Sequence, residues 1–222
     1  WGDVRGDLQL EASQLGLQCE HTRIDLVGEA YVWIAEQVTE GVWSEDGGLI
    51  TITAGILEAT WKSVLQADGS SKAEAALIEA RDRVRADIAM GTTIVVHADF
   101  LRAVPEELVF LEAVSGNRIS ASGILPGTLL PFEVTGTSLS VSPDQLTFEG
   151  VRGVIEGGLL PMSPGNPEGV GATRENTDFG ALSFVLTRTG LELTGQAFLE
   201  TADLDGNPFS LAARQYPFSS LQ

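Results

Sequence analysis

The chain is 222 residues long, and 31 acidic against 13 basic side chains give it a formal net charge of −18. Such a field repels phosphates and anionic bilayer surfaces, which excludes nucleic acid as a partner and makes any contact with anionic headgroups a local exception. With 43% hydrophobic residues and a mean hydropathy of +0.12, the chain can fill a substantial core, so disorder throughout is excluded too.

The single cysteine, Cys19, forbids an internal disulfide and any cysteine-built zinc site. In the phased run Leu15-Gly-Leu17-Gln-Cys19 it reads as a small buried hydrophobe. No run approaches the roughly 18 apolar residues that a spanning helix needs, so membrane contact is open but spanning is not expected. The sequence opens at Trp1, as a mature product or a piece of something longer would, and an extracytoplasmic location is expected.

In chain order, Leu8, Leu10 and Ala12 share one phase, and Leu15, Leu17 and Cys19 come next in a second run. The segment Ile24 to Ala35 is rich in β-branched and aromatic residues, and Asp46-Gly47-Gly48 is a turn signal before the strand Leu49-Ile-Thr-Ile-Thr. Residues 71–90 break this pattern. Ser71 and Glu74 fit a capping box, Gly91 can end a helix, and Ala73, Leu77, Ala80, Val84 and Ile88 fall at steps of three and four. Glu79 and Arg83 add an i, i+4 pair. The spacing predicts an amphipathic helix, with a hairpin turning at Arg81-Asp82 as the alternative, since Val84, Ala86, Ile88 and Met90 also alternate.

Thr92 to Phe100 reads as a strand, and Pro105 to Glu112 as a short helix with proline in its first turn. From Arg118 the sheet resumes, with paired apolar steps at Phe132 and Val134, Leu139 and Val141, and Leu146 and Phe148. Residues 157–180 carry three prolines and many glycines and predict a long irregular loop. Alternation returns at Leu182, Phe184 and Leu186 and continues through Leu191, Leu193, Ala197 and Leu199. The expected fold is mainly β, within the α+β class: a curved antiparallel sheet or β-sandwich of about ten strands with one or two amphipathic helices. No boundary separates the halves, so residues 1–222 are expected to form one elongated domain.

Reactive groups are sparse. His21 and His97 are the only histidines, and His97 shares a strand face with Asp99, a geometry open to a base-and-orienter pair or to an ordinary hydrogen bond. No nucleophile elbow, zinc-protease or phosphate-loop signature occurs. A pair of scattered carboxylates could still act as in glycoside hydrolysis, though nothing selects the two. Asp203-Leu-Asp205-Gly-Asn207 imitates the opening of a calcium loop but lacks its closing acid, and reads as a turn. Arg5-Gly6-Asp7 spells an adhesion tripeptide by chance. Trp1, Trp33, Trp43 and Trp61 gather in the first third, with Trp43 the better candidate for exposure. No metal and no cofactor are expected.

Short amphipathic runs joined by glycine turns, as in "GTSLSVSPDQLTFEGVRGVIEGG" and "TRTGLELTGQAFLE", resemble a broad group of bacterial envelope proteins. The group includes AsmA-like and TamB-like lipid-transport proteins, small periplasmic phospholipid-binding domains and the type II secretion subunit N. The likeness covers mostly residues 118–200 and transfers no functional residue. It implies a curved or tubular sheet whose concave apolar face shelters acyl chains in the periplasm or cell envelope. The apolar phases place Phe132, Val134, Leu139, Val141, Leu146, Phe148, Phe184 and Leu186 on such a face. The expectation is a non-enzymatic protein binding a lipid or another apolar ligand there. Its alternative is a module of an envelope or secretion assembly that docks by a strand edge or the 157–180 loop. The same eight residues serve equally as core if two sheet faces close on each other.

Overall fold

The computed structural model describes residues 3–10, 13–45, 48–65, 69, 71–104, 108–112, 118–126, 128–142, 144–156, 176–188, 190–202 and 208–219. They form fourteen strands of one antiparallel sheet, with no helix among the described residues. The first six make a meander: β1 (Val4–Leu10), β2 (Ser13–Val27), β3 (Ala30–Glu45), β4 (Gly48–Leu65), β5 (Ser71–Ala89) and β6 (Thr93–Val104). Four short strands come next: β7 (Leu108–Glu112), β8 (Ile119–Ile124), β9 (Pro131–Gly136) and β10 (Ser138–Val141). The long strands β11 (Gln145–Ile155), β12 (Thr177–Thr187), β13 (Gly190–Ala202) and β14 (Pro208–Ser219) complete the order.

The short strands fill one gap in two pieces. Ile94–His97 of β6 pairs with β8 and Phe100–Val104 with β7, while β11 pairs with β10 through its first half and with β9 through its second. The pairs β7–β10 and β8–β9 therefore lie end to end between two long strands, and the sheet is twelve strands wide. No ladder joins β1 to β14 among the described residues, so the sheet is open.

One face of this sheet is apolar, and with no second layer of described structure it is buried by curling. Main chain of β1 comes within 8 Å of β5, although three strands separate them in the ladder. Small side chains allow that approach, since the inward positions of β3 to β5 include Ala35, Ala54, Ala59, Ala80 and Ala86, all buried. Across the sheet the interior is filled instead by Phe132, Phe148, Phe179 and Phe184.

Gly6 of β1 meets the ring of Trp33, and a Cβ there would stand 2.5 Å and 2.8 Å from two ring carbons. Gly6→Ala is therefore expected to destabilise by about 1–3 kcal/mol through overpacking. A urea midpoint that falls at unchanged slope checks this, and an unchanged midpoint contradicts the contact.

Bulges explain why the apolar phase changes along the long strands. Register shifts occur at Val38/Gly41, Thr53/Ile56 and Arg81/Val84 in β3 to β5, and at Gly180/Ser183 and Thr194/Ala197 in β12 and β13. An inserted residue breaks the ladder locally and turns the next side chains to the opposite face. Thus Ile50, Ile52 and Ala54 face inward on β4, then Leu57 and Ala59 do so in the opposite phase.

The helix expected over 71–90 is not present, because residues 71–89 form β5. The alternative hairpin is absent as well. Asp82 and Arg83, at φ 66° and 56°, form a bulge in one continuous strand, with Ile78 and Ala80 buried before it and Val84, Ala86 and Ile88 after it. A step of four residues is two strand periods as well as about one helical turn, so the stripe could not separate the two. The expected Glu79–Arg83 pair is replaced by Glu79 with Arg102 at 3.9 Å and Arg83 with Asp82 at 3.6 Å. The short helix expected from Pro105 is also corrected, since Leu108–Glu112 is β7 and 105–107 lie outside the described residues. Residues 157–175 of the expected loop lie outside them too, while Thr177–Gly180 already belong to β12.

Candidate functional site

The eight residues proposed from sequence all lie on the inner face. Phe132, Val134, Leu139, Val141, Leu146, Phe148, Phe184 and Leu186 expose 0% to 6% of their surface and belong to one continuous core. Register explains the grouping: Leu139 faces Phe148 on β11, Phe148 faces Phe184 on β12, and Phe184 faces Leu193 on β13. Phe184 stacks on Phe179 at 5.6 Å, tilts against Phe132 at 5.9 Å and meets Phe148 edge-on at 6.2 Å. These side chains pack on one another, and a guest could reach them only by parting the curled sheet.

The inner face emerges into solvent at the other end of the molecule. The β2–β3 hairpin, closed by Gly28 (φ 63°) and Glu29, extends beyond the last described ladder pair of β1, which is Val4 with Cys19. Glycine at positive φ in the first position suits a two-residue hairpin turn. Residues directly opposite in a ladder share a face, so Ile24 lies beside Trp33, Leu26 beside Tyr31, and Tyr31 beside Trp61 of β4. Ile24 is 62% exposed, Leu26 64% and Tyr31 39%, yet Trp33 in the same row is buried. Tyr31 and Trp61 stack at 5.9 Å with 22° between their planes, and the Trp33 indole N–H donates to the Thr22 hydroxyl. The opposite face of this hairpin is mixed: Arg23 is ion-paired to Asp25 at 3.0 Å and to Glu36 at 3.5 Å, and Val27, Val32 and Ile34 lie beside them. An apolar apron thus continues the core outward on the face that is interior elsewhere. Along Ile24–Val27 the side of β2 away from β3 has no partner strand among the described residues.

No family model matches the chain, and no curated protein or solved structure is significantly similar to it.

The reactive candidates stay apart. His97 and Asp99 lie on the outer face of β6, opposite Arg85 and near the β5 bulge, with His97 exposed. His21 is exposed across from Glu36 on β2, on another part of the sheet. Arg5-Gly6-Asp7 is extended within β1, with Gly6 against Trp33 rather than at a loop tip. Residues 203–207 lie outside the described residues, and no cluster of metal-ligating side chains occurs among those described.

Cys19 is buried, as expected, with its thiol donating to the Val4 carbonyl at 3.8 Å. Burial, and secondarily the Asp3 carboxylate, push the thiol above its usual range. The thiolate is the reactive form, so Cys19 is expected to be alkylated at least about tenfold more slowly in the native state than in urea. Mass spectrometry of timed samples reads this directly, and equal rates would contradict the burial.

The apron was missed in the sequence, where Ile24 to Ala35 read only as a segment rich in β-branched and aromatic residues. Its signal was the Gly28-Glu29 turn in the middle of that run. A turn there makes a hairpin longer than the preceding strand can cover.

Proposed function

We propose that this protein is a non-enzymatic binding protein for a lipid or another apolar ligand, with the apron as the landing surface and the inner face as the shelter. The observation that carries the reading is exposure of Ile24, Leu26 and Tyr31 in the same face that is buried in the rest of the sheet. Apolar surface of this kind, continuous with a core, marks a contact with something apolar. Each methylene removed from water contributes about 0.8 kcal/mol, so an acyl chain needs no polar partner to be held. The acidic exterior keeps such a carrier soluble and directs contact to the uncharged apron. An extracytoplasmic place, in the periplasm or cell envelope, rests on the textural resemblance of residues 118–200.

The test combines native mass spectrometry, before and after organic extraction, with quenching of tryptophan emission by brominated fatty acids. Retained lipid and quenching of Trp61 emission are the expected results. A bare mass together with unquenched fluorescence would refute the reading. The unpaired edge at Ile24–Val27 favours the second reading, docking of a partner strand in an envelope assembly. In that case the edge amides gain hydrogen-exchange protection only when a protein partner is added.

A further inference from the structure

We propose that the outer face of the sheet carries a second, independent site, a groove that binds neutral saccharide chains. The groove crosses β8, β9, β11, β12 and β13, holds about 610 Å³, and continues past Arg152 and Phe198 into a neighbouring hollow of about 530 Å³. The hollow borders the local irregularities of three adjacent strands: Gly150 at φ 60°, the Gly180/Ser183 shift, and Gly195 and Gln196 at φ 70° and 54°. Bulges bend and twist strands, which makes a concavity on a face that would otherwise be flat.

Phe198 is the feature that gives the groove a chemistry. It points outward on β13, directly opposite Gly180 of β12, and its ring lies where a side chain on Gly180 would be. The glycine seats the ring against the backbone, while 36% of the residue remains exposed to the groove. An aromatic ring held this way is a rigid apolar platform of low entropy cost. Around it stand groups of both signs. Arg152 is on β11, Glu133 on β9, Asp178 on β12, Glu200 opposite Asp178 on β13, and Ser122 on β8. None of the four charged side chains makes an ion pair among the described residues.

An aromatic platform flanked by unpaired donors and acceptors suits a ring with an apolar C–H face and a girdle of hydroxyls, which is a pyranose. Carboxylates and a guanidinium form the stronger class of hydrogen bonds with hydroxyl groups, and here none of the four is ion-paired among the described residues. A purely cationic ligand would leave Arg152 opposed, and an anionic one would meet three carboxylates. A neutral polyol uses both signs.

The experiment is an NMR titration of the full chain with three neutral oligosaccharides: a β-linked glucan, an α-linked glucan and a β-linked N-acetylglucosamine oligomer. A lysine-rich peptide serves as the competing probe. At least one oligosaccharide is expected to shift amides of β11 to β13, and Phe198→Ala to weaken its binding by about tenfold or more. Because that variant uncovers Gly180, Asp178→Asn is the second test. It relieves the Asp178–Glu200 repulsion, so it keeps the fold, and it too is expected to weaken the sugar. No shift with any of the three, affinity unchanged in both variants, or tighter binding of the peptide would each overturn the proposal. The site is separate from the apron, so failure here leaves the lipid reading standing.

Discussion

Replacing Phe184 by alanine is expected to cost about 3–5 kcal/mol of folding stability, the largest single-residue effect in the molecule. The side chain is fully buried and is the one ring shared by Phe132, Phe148 and Phe179. The loss combines the transfer free energy of the ring, three aromatic contacts and the cavity left where the sheet cannot collapse. Against a total of about 5–15 kcal/mol for a native domain, the variant stays folded only marginally at room temperature. Urea unfolding followed by intrinsic fluorescence reads the change. A loss below about 1 kcal/mol would mean that the rings are not tightly packed and that the interior is already a cavity. The same measurement bears on function, because an apolar hole lined by phenylalanines stays dry and takes up apolar guests. Stabilisation of Phe184→Ala by a fatty acid that leaves the parent protein unmoved would place the guest site among these residues.

The alternation in residues 131–148 was legible because β9, β10 and the first part of β11, before the irregularity at Gly150, each keep one phase: Phe132 and Val134, Leu139 and Val141, Leu146 and Phe148. The long strands were harder. A bulge at Asp82-Arg83 lengthens β5 without ending it, so a strand of 19 residues carried both a helical stripe and a false turn signal. Alanine added to the confusion. Ala73, Ala75, Ala76 and Ala80 favour helix by intrinsic propensity, but tertiary pairing on both sides of β5 overrides so small a term. Strand number came out at fourteen rather than about ten, because β5 and β7 stand where helices were expected and the gap between β6 and β11 is filled by four short pieces instead of two full strands.

For the site, sequence identified which residues are apolar and inward but could not say which inward residues are uncovered. Leu26 and Leu139 look alike in pattern, and they differ because Leu139 has pairing strands on both sides while Leu26 has one only on the side of β3. That distinction depends on where β1 stops relative to β2, a property of register rather than of composition. The outer groove was invisible for a similar reason. Phe198 reads as an alternation error in Ala197-Phe198-Leu199 until Gly180, eighteen positions earlier, is found beneath it.

The apron makes the sharpest demand on the proposed function. The double substitution Ile24→Asp with Leu26→Asp is expected to change stability little, because both side chains are more than half exposed. Its effect falls on the ligand. Full burial of such a side chain is worth about 1.5–3 kcal/mol, so losing half of that at two positions weakens an apolar ligand by about ten- to a hundredfold. Tryptophan emission reports the loss, since Trp61 stacks on Tyr31, which lies directly beside Leu26 on the same face. A fatty acid carries its own negative charge, so Asn at both positions is the necessary control. It removes the apolar surface without adding repulsion and should weaken binding nearly as much. If the Asp pair abolishes binding and the Asn pair does not, charge rather than apolar contact governs entry. If neither changes binding while the edge amides of Ile24–Val27 become protected by an added protein, the hairpin is a docking strand and the sheet is no carrier.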